Sequence, residues 1–353
     1  MNLPKTLPVV LPIAALPLLA FVGRADKVTF EPSEGASTSK EMSFSSTFYL
    51  DDMRIAMDGN ELPAEMMGGA MDEGLLLQAT IAVTDEYVAS REGKVLSLLR
   101  SFDELTLEAG VESEAEIVDE FAELEDTTVS FRWDDEEGDY VKTFHESDGD
   151  EALLENLDPD MDFMVLLPDG EVSEGDTWEA SGERLGSVFL PGGVPANPSA
   201  DEEEAEEMAE LFQEEMEAQM SEAFSEFVLN CTYEGTRDED GVTVGVITFK
   251  FEGDTSLDLS DMIQEVIDMQ AGDAGVEADI SATIGFEFEG EGTLLWNLRA
   301  GHAHGFDMSG DITLSADMEG DVDAMGESHS MEMSAEVSGE ASWEMTTTGG
   351  DDE

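Results

Sequence analysis

Positive charge is what this chain lacks most. Its 14 lysines and arginines stand against 86 aspartates and glutamates in 353 residues, a formal net charge of −72. Surfaces that grip nucleic acid or an anionic membrane do so with clustered Lys and Arg, so the imbalance argues against both partners. Cysteine is nearly absent as well: Cys231 is the only one, and no intramolecular disulfide can form. Histidine is confined to His145, His302, His304 and His329, which leaves few candidates for a multi-histidine metal centre. Also missing are a Gly-x-Ser-x-Gly elbow, a His-Glu-x-x-His pair and a glycine-rich phosphate loop. Paired carboxylates for glycoside hydrolysis are too abundant to single out. The chain is therefore expected not to be an enzyme, and no cofactor is expected.

What is present is period-two patterning. Hydrophobic residues make up 41% of the chain, and their strict alternation sets it apart from a disordered acidic polymer. From Val276 the series runs Ala278, Ile280, Ala282, Ile284, Phe286 and Phe288, with polar or small residues between. It resumes at Leu294, Trp296 and Leu298, at Phe306 and Met308, at Ile312 to Met318, and at Met331, Met333, Ala335 and Val337. Alternation of this kind puts one face of an antiparallel sheet on a core and the other in water. The acidic residues belong to the solvated faces, where their mutual repulsion predicts a fold stabilised by salt or divalent cations.

The chain opens on Lys5, an apolar run from Val9 to Val22, and Gly23-Arg24-Ala25 before Asp26. This is read as a secretory signal over residues 1–25, cleaved near Ala25, giving an exported protein, periplasmic or extracellular. Prolines 4, 8, 12 and 17 disfavour a lasting membrane helix, and no cysteine near the cleavage site offers a lipid anchor. Residues 26–347 are read as a single β-rich domain, with a helix inserted between two β halves, and 348–353 as an acidic tail.

Within that domain, Met42 to Leu50 and Met53 to Met57 read as two strands parted by a turn at Asp51-Asp52. Glu92-Gly93 and Asp238-Glu239-Asp240-Gly241 read as hairpin turns, and Asp134 to Asp139 as an acidic turn between the strands around Phe131 and Tyr140. Ser113 and Glu116 have capping-box spacing for a short helix over Ile117 to Leu124, and Asp150 to Leu157 fits a helical turn with its leucines inward. One long acidic helix is expected over 199–225. Ser199 and Glu202 form a capping box, and Met208, Leu211, Phe212, Met216, Met220, Ala223 and Phe224 recur at steps of three and four. Another short helix is expected over Ser260 to Met269. At Val246-Ile247 the inward parity switches, which predicts a β-bulge near Gly245. Cys231 shares parity with Leu229 and Tyr233 and is expected to be a buried, inert thiol.

The stretch Leu166-Leu167-Pro168-Asp169, with Val172 and Gly175-Asp176-Thr177-Trp178, resembles a motif of uncharacterised secreted or lipoprotein-like bacterial β-rich domains. Arg100 to Leu105 and Gly292 to Trp296 are similar to the same group. That resemblance carries no catalytic residue. The long strands and internal helices are also similar to half-open β barrels of the periplasmic lipoprotein-carrier type, and this implies lipid held on a concave face.

The fold class expected is α+β and predominantly antiparallel β, a long curved meander with one long acidic amphipathic helix. The function expected is a non-catalytic binding or carrier module for an apolar small molecule or lipid. The alternative is a structural or cell-envelope protein whose fold depends on salt or divalent cations. The ligand face is placed on Ile280, Ile284, Phe286, Phe288, Trp296, Met308, Met331 and Met333, and twenty methionines suit an adaptable apolar surface. His302, His304 and His329 are the weak metal candidates. Asp158-x-Asp160-x-Asp162 opens like a calcium loop but places Phe163 where glycine is required, so only weak, diffuse calcium or other divalent binding is expected.

Overall fold

A computed structural model describes residues 25–62, 74–111, 115–118, 123–181, 186–193, 227–260, 262–264, 276–324 and 327–349, with residue 219. Its strands are Asp26–Lys27 (β1), Ala36–Met57 (β2), Asn60–Glu61 (β3), Leu75–Arg91 (β4), Lys94–Val111 (β5), Glu116–Val118 (β6), Thr128–Asp134 (β7) and Asp139–Phe144 (β8). They continue with Glu171–Val172 (β9), Thr177–Ser181 (β10), Val228–Glu239 (β11), Val242–Asp258 (β12), Val276–Asn297 (β13), His302–Ala324 (β14) and Glu327–Gly349 (β15). All but β1 and β9 join one antiparallel sheet of 13 strands, in the order β10-β11-β12-β13-β14-β15-β2-β4-β5-β7-β8, with β3 beside β2 and β6 beside β5. The order does not close on itself, so the sheet is open.

Predominantly antiparallel β is thus correct. The long acidic helix is not borne out: residues 199–225 lie outside the described residues apart from Gln219, and helix among the described residues comes in short pieces such as the four-residue α1, Gly186–Phe189. The short helix expected after Ser113 is also corrected. Its described start, Glu116–Val118, is a strand paired with Leu107, Glu108 and Ala109, because a free strand edge supplies more backbone partners than an isolated turn of helix. Of the Ser260 to Met269 helix, residues 260 and 262–264 are helical and 261 and 265–269 lie outside the described residues.

Long neighbouring strands keep their alternation in step by bulges. Glu336 faces Asp52 and Val337 faces Leu50, leaving Asp51 as an extra residue within β2. The Asp51-Asp52 turn is therefore a bulge in one continuous strand, and it accounts for the apolar parity moving from Phe48 and Leu50 to Met53 and Ile55. The bulge expected near Gly245 lies on the partner strand instead: the register shifts between Tyr233 and Gly235, opposite Ile247 and Val246. The hairpin turns at Glu92-Gly93 and Asp240-Gly241 are as expected, with positive φ at all four residues.

The chain leaves the sheet at one edge, β8, and re-enters at the other, β10. Residues 145–176 therefore cross one face, which we call inner. Their order along the crossing follows the strands beneath. The Asp158 and Pro159 carbonyls accept from Arg100 on β5, Asp162 meets Lys40 on β2 and Tyr87 on β4, and Phe163 stacks on Phe306 of β14 with ring centroids 3.8 Å apart. Leu153, Leu154, Leu157, Met161 and Leu166 face inward and are fully buried, as expected for the 150–157 turn. The main core lies between this crossing and the sheet, and a smaller one forms around Leu257, Leu259, Met262 and Ala282.

Glycines on the inner parity of β13 make room for aromatic rings from β12. Phe251 pairs with Gly290 and Phe249 with Gly292, and a Cβ at either glycine would run into the ring opposite. This device lets large rings lie flat over a strand instead of standing between two side chains.

Candidate functional site

Two constellations occupy the inner face, one ionic and one apolar. The ionic one is built at positions where the alternation of β2, β4 and β5 places polar residues inward. Lys40 Nζ lies 3.0 Å from Asp85 Oδ2, 2.8 Å from Asp162 Oδ2 and 2.8 Å from Tyr87 Oη. Arg100 donates from Nε to Asp85 Oδ1 at 2.7 Å and from Nη2 to Asp85 Oδ2 at 3.0 Å. Tyr87 Oη donates to Asp162 Oδ2 at 2.5 Å, and the Ala303 amide donates to Asp162 Oδ1 at 3.0 Å. Lys40, Asp85, Tyr87 and Arg100 are completely buried and Asp162 nearly so.

Burial favours the neutral form of each group, but the neighbours decide the charge. Desolvation alone would lower the Lys40 pKa, yet Asp162, Tyr87 and Asp85 hold it above the ordinary lysine value. Burial pushes the Asp85 carboxyl up, while Arg100 and Lys40 outweigh it and hold it below the usual range. For Arg100, burial is again opposed, and exceeded, by Asp85. Burial and then the Asp162 charge raise Tyr87, which stays a phenol. Two cations face two anions, all three Lys40 protons are used, and no substrate path reaches them. The network clamps the crossing segment to the sheet and offers no free group for chemistry.

The calcium-like Asp158-x-Asp160-x-Asp162 run belongs to this clamp. Asp158 Oδ1 accepts from the Asp160 amide at 2.6 Å, Asp160 Oδ1 from the Asp162 amide at 2.9 Å, and Asp160 Oδ2 from the Met164 amide at 3.1 Å. The Asp158 and Asp160 carboxylates are spent on backbone amides, and that of Asp162 on Lys40, Tyr87 and the Ala303 amide. Phe163 adopts the left-handed turn that a calcium loop gives to glycine, with φ 55°.

His329 does not approach His302 and His304, which lie two residues apart at the start of β14. His302 is buried at the start of β14, and His329, on β15, pairs with Val322 near the far end of β14. At about 3.3 Å per residue this places His302 and His329 on the order of 60 Å apart. Nδ1 of His302 lies 2.7 Å from the Ala303 carbonyl, and Nδ1 of His329 lies 2.9 Å from Asp58. Among the described residues, no group of three or more His, Cys, Asp or Glu could hold a metal. Cys231 is buried as expected, and burial pushes its thiol up to about 12. Trp178, at the end of the Gly175-Asp176-Thr177-Trp178 stretch, is half-buried, its indole donating to the Leu166 carbonyl at 3.2 Å.

The apolar constellation is a groove of about 520 Å³ beside the crossing segment. Its floor is Met42, Phe44 and Phe48 from β2, Leu77, Ala79 and Ile81 from β4, Leu105 and Leu107 from β5, and Phe286, Phe288, Ile312, Leu314 and Trp343 from β13, β14 and β15. Phe189, Leu190, Pro191 and Gly193 form the wall. The Phe189 ring packs on Trp343, Phe251 and Phe288 at centroid distances of 5.4, 5.7 and 6.2 Å, and Trp343 Nε1 donates to the Phe189 carbonyl at 2.9 Å. Gly192 and Gly193, at φ 82° and 76°, let this wall lie against Leu157 and Met161, where a side chain would strike them.

Of the expected ligand face, Phe286 and Phe288 line the groove. Ile284 packs on the smaller core, and Ile280, Met331 and Met333 lie half-buried further along the same face. Trp296 and Met308 are wholly inside the main core, because the crossing segment covers that end of their strands. The floor residues from β2, β4 and β5 were not among the expected residues, although their alternation has the same inward parity. Which part of an apolar face stays open depends on what crosses it, and a crossing without period-two patterning gives no such signal.

A wider hollow of about 1410 Å³ lies on the opposite, hydrophilic face, among Ser45, Thr47, Lys250, Glu289, Glu291, Asp311 and Glu340. It lacks the apolar walls that exclude water from a small-molecule site.

No family model and no curated protein matches this chain. Among solved structures, Pseudomonas aeruginosa OpdQ is 7% identical, with 89% of this chain and 98% of that chain covered, at a TM-score of 0.15. Pseudomonas aeruginosa OccK7 (OpdD) is 10% identical, with 88% and 99% covered, at a TM-score of 0.09. Likenesses of that size carry no argument about fold or function. Among the described residues no helix is long and apolar enough to cross a membrane.

Proposed function

We propose that this chain is a non-catalytic carrier or binding module, exported from the cytoplasm, that takes an apolar molecule into the groove between Phe189–Gly193 and the inner face. The observation that carries the reading is a groove of about 520 Å³ with aliphatic and aromatic walls in a chain of net charge −72. Volumes of about 300–1,000 Å³ suit small organic ligands. No ionisable side chain of the ionic network opens into the groove, so it provides burial and no chemistry. The negative field of the surrounding carboxylates disfavours an anionic head group, so the ligand class supported is neutral or cationic lipid-like molecules.

The test is native mass spectrometry of protein purified gently from its own secretory route, followed by denaturing extraction. An apolar molecule in the wild type, lost from Leu314→Asp, is the expected result. Wild-type protein that carries nothing and takes up no neutral lipid-like probe overturns the reading.

A second reading, a structural envelope protein dependent on salt or divalent cations, has one observation in its favour. Glu252, Glu289, Asp311 and Glu340 face one another across four adjacent strands on the outer face. Assembly into ordered arrays on adding calcium is its test.

A further inference from the structure

We infer that the groove takes one straight alkyl chain of roughly 16–20 carbons, laid across the strands, with an uncharged or cationic head left outside. The inference rests on the binding function proposed above and goes beyond it by assigning the shape of the molecule.

Length comes first. The lining runs from Leu105 and Leu107 on β5, through β4, β2, β15 and β14, to Phe286 and Phe288 on β13, and these six strands are consecutive in the sheet. Five intervals of about 4.8 Å make the groove about 24 Å long, measured across the strands. A volume of about 520 Å³ spread over that distance leaves a mean section of about 22 Å², a channel roughly 5 Å across. Any slant to the strands makes it longer and thinner. Carbon atoms in contact sit about 3.5–4.0 Å apart, so a channel of this width holds one methylene chain, whereas two chains side by side or a fused ring system need a broader one. With C–C bonds of about 1.5 Å, an extended zigzag advances about 1.3 Å per carbon, and about 19 carbons fill the length. The wall is pinned by the Phe189 ring against Trp343 and Phe251, which keeps the channel narrow.

Polarity decides where the head lies. The Trp343 indole is spent on the Phe189 carbonyl. Thr106 and Asp311 border the groove, but they alternate with Leu105 and Leu107 and with Gly310 and Ile312, so their side chains turn to the outer face. A hydroxyl, ester or charge midway along the ligand would be stripped of water without a replacement partner. Polar atoms therefore belong at the chain's end, outside the walls. A carboxylate head is disfavoured there by a protein of net charge −72.

The experiment is competition among octaethylene glycol monoalkyl ethers, neutral single-chain probes, for the full chain, read by native mass spectrometry below their micelle-forming concentrations. Equimolar pairs differing by two carbons are compared from C8 upward. Each buried methylene is worth about fourfold in affinity, so the longer member of each pair should be held about fifteenfold better up to about C16. A rounded cavity of about 520 Å³ is about 10 Å across and would stop gaining near eight carbons. Ala79→Phe fills the groove one strand from its β5 end, and should lower the limit by about four to eight carbons while C8 binds as before. A gain that stops by C10, a steroid with the same ether head held better than the C16 chain, or an unchanged limit in Ala79→Phe overturns the single-chain channel. Each of those leaves the carrier reading standing, because an apolar molecule is still held. Wild-type protein that holds no ether and no steroid removes the carrier reading, and the channel with it.

Discussion

Lys40, Asp85, Arg100 and Asp162 place two cations and two anions where water is excluded, and each is worth keeping only while the others are present. Removing one partner strands a buried charge, a loss of about 3–5 kcal/mol, whereas an isosteric neutral replacement that keeps its hydrogen bonds costs less. Lys40→Met is therefore expected to lower the urea stability by several times more than Asp162→Asn, which can still accept from the Ala303 amide; equal losses would mean that the clamp is not electrostatic. The pH dependence follows from Asp85. Its folded pKa lies below the ordinary 3.8, so its contribution is complete above that value and is lost as pH falls through the lowered folded one. Urea midpoints in 1 M salt should fall below about pH 4, although surface repulsion is by then relieved. These residues were legible in one respect that alternation alone overlooks: Asp85 stands at an inward position between Val83 and Tyr87, Arg100 between Leu98 and Phe102, and Lys40 next to Met42, and polar groups at core positions need partners. The partner Asp162 was not legible, because its place depends on a crossing of the sheet.

At the scale of strands, period two was a sound guide and its interruptions were not. A shift of parity can mark a turn or a bulge, and Asp51-Asp52 has the composition of a turn. What makes it a bulge is the unbroken partner β15, which keeps pairing on both sides of Asp51. Pairing of that range leaves no local trace. Glycine inside a strand is similarly ambiguous until its cross-strand neighbour is known. Gly290 lies under Phe251, and a Cβ there would also come within 2.6 Å of the Ser309 carbonyl. Gly290→Val raises strand propensity but overfills this site, and it should destabilise by about 1–3 kcal/mol in chemical denaturation. Gly170→Ala, with open space around it, should leave the midpoint unchanged. If both variants matched the wild type, the ring would not be packed on the glycine.

For the whole molecule the governing fact is that one open sheet carries its charge on its outer surface, across strands spaced about 4.8 Å apart. The register puts Glu252 beside Glu289, Glu289 beside Asp311, and Asp311 beside Glu340, so four carboxylates form a row with no cation between them. Each directly opposed pair of like charges costs roughly 0.2–1 kcal/mol. A neighbouring row is relieved by Lys250, whose ammonium lies 2.9 Å from Glu291. The apolar alternation keeps these carboxylates on one face, since slipping a strand by one residue would turn its inward side chains to water. Stability should therefore rise with ionic strength, because the repulsion is exposed and screened while the ionic clamp is buried and is not. The melting temperature is expected to be several degrees higher in 1 M than in 10 mM sodium chloride. Asp311→Asn, which breaks the row at an inner member, should raise the low-salt melting temperature and shrink the difference. An equal gain from salt in both proteins would place the repulsion elsewhere on the surface, and no gain in either would show that the folded charge pattern is already neutralised by tightly held counterions.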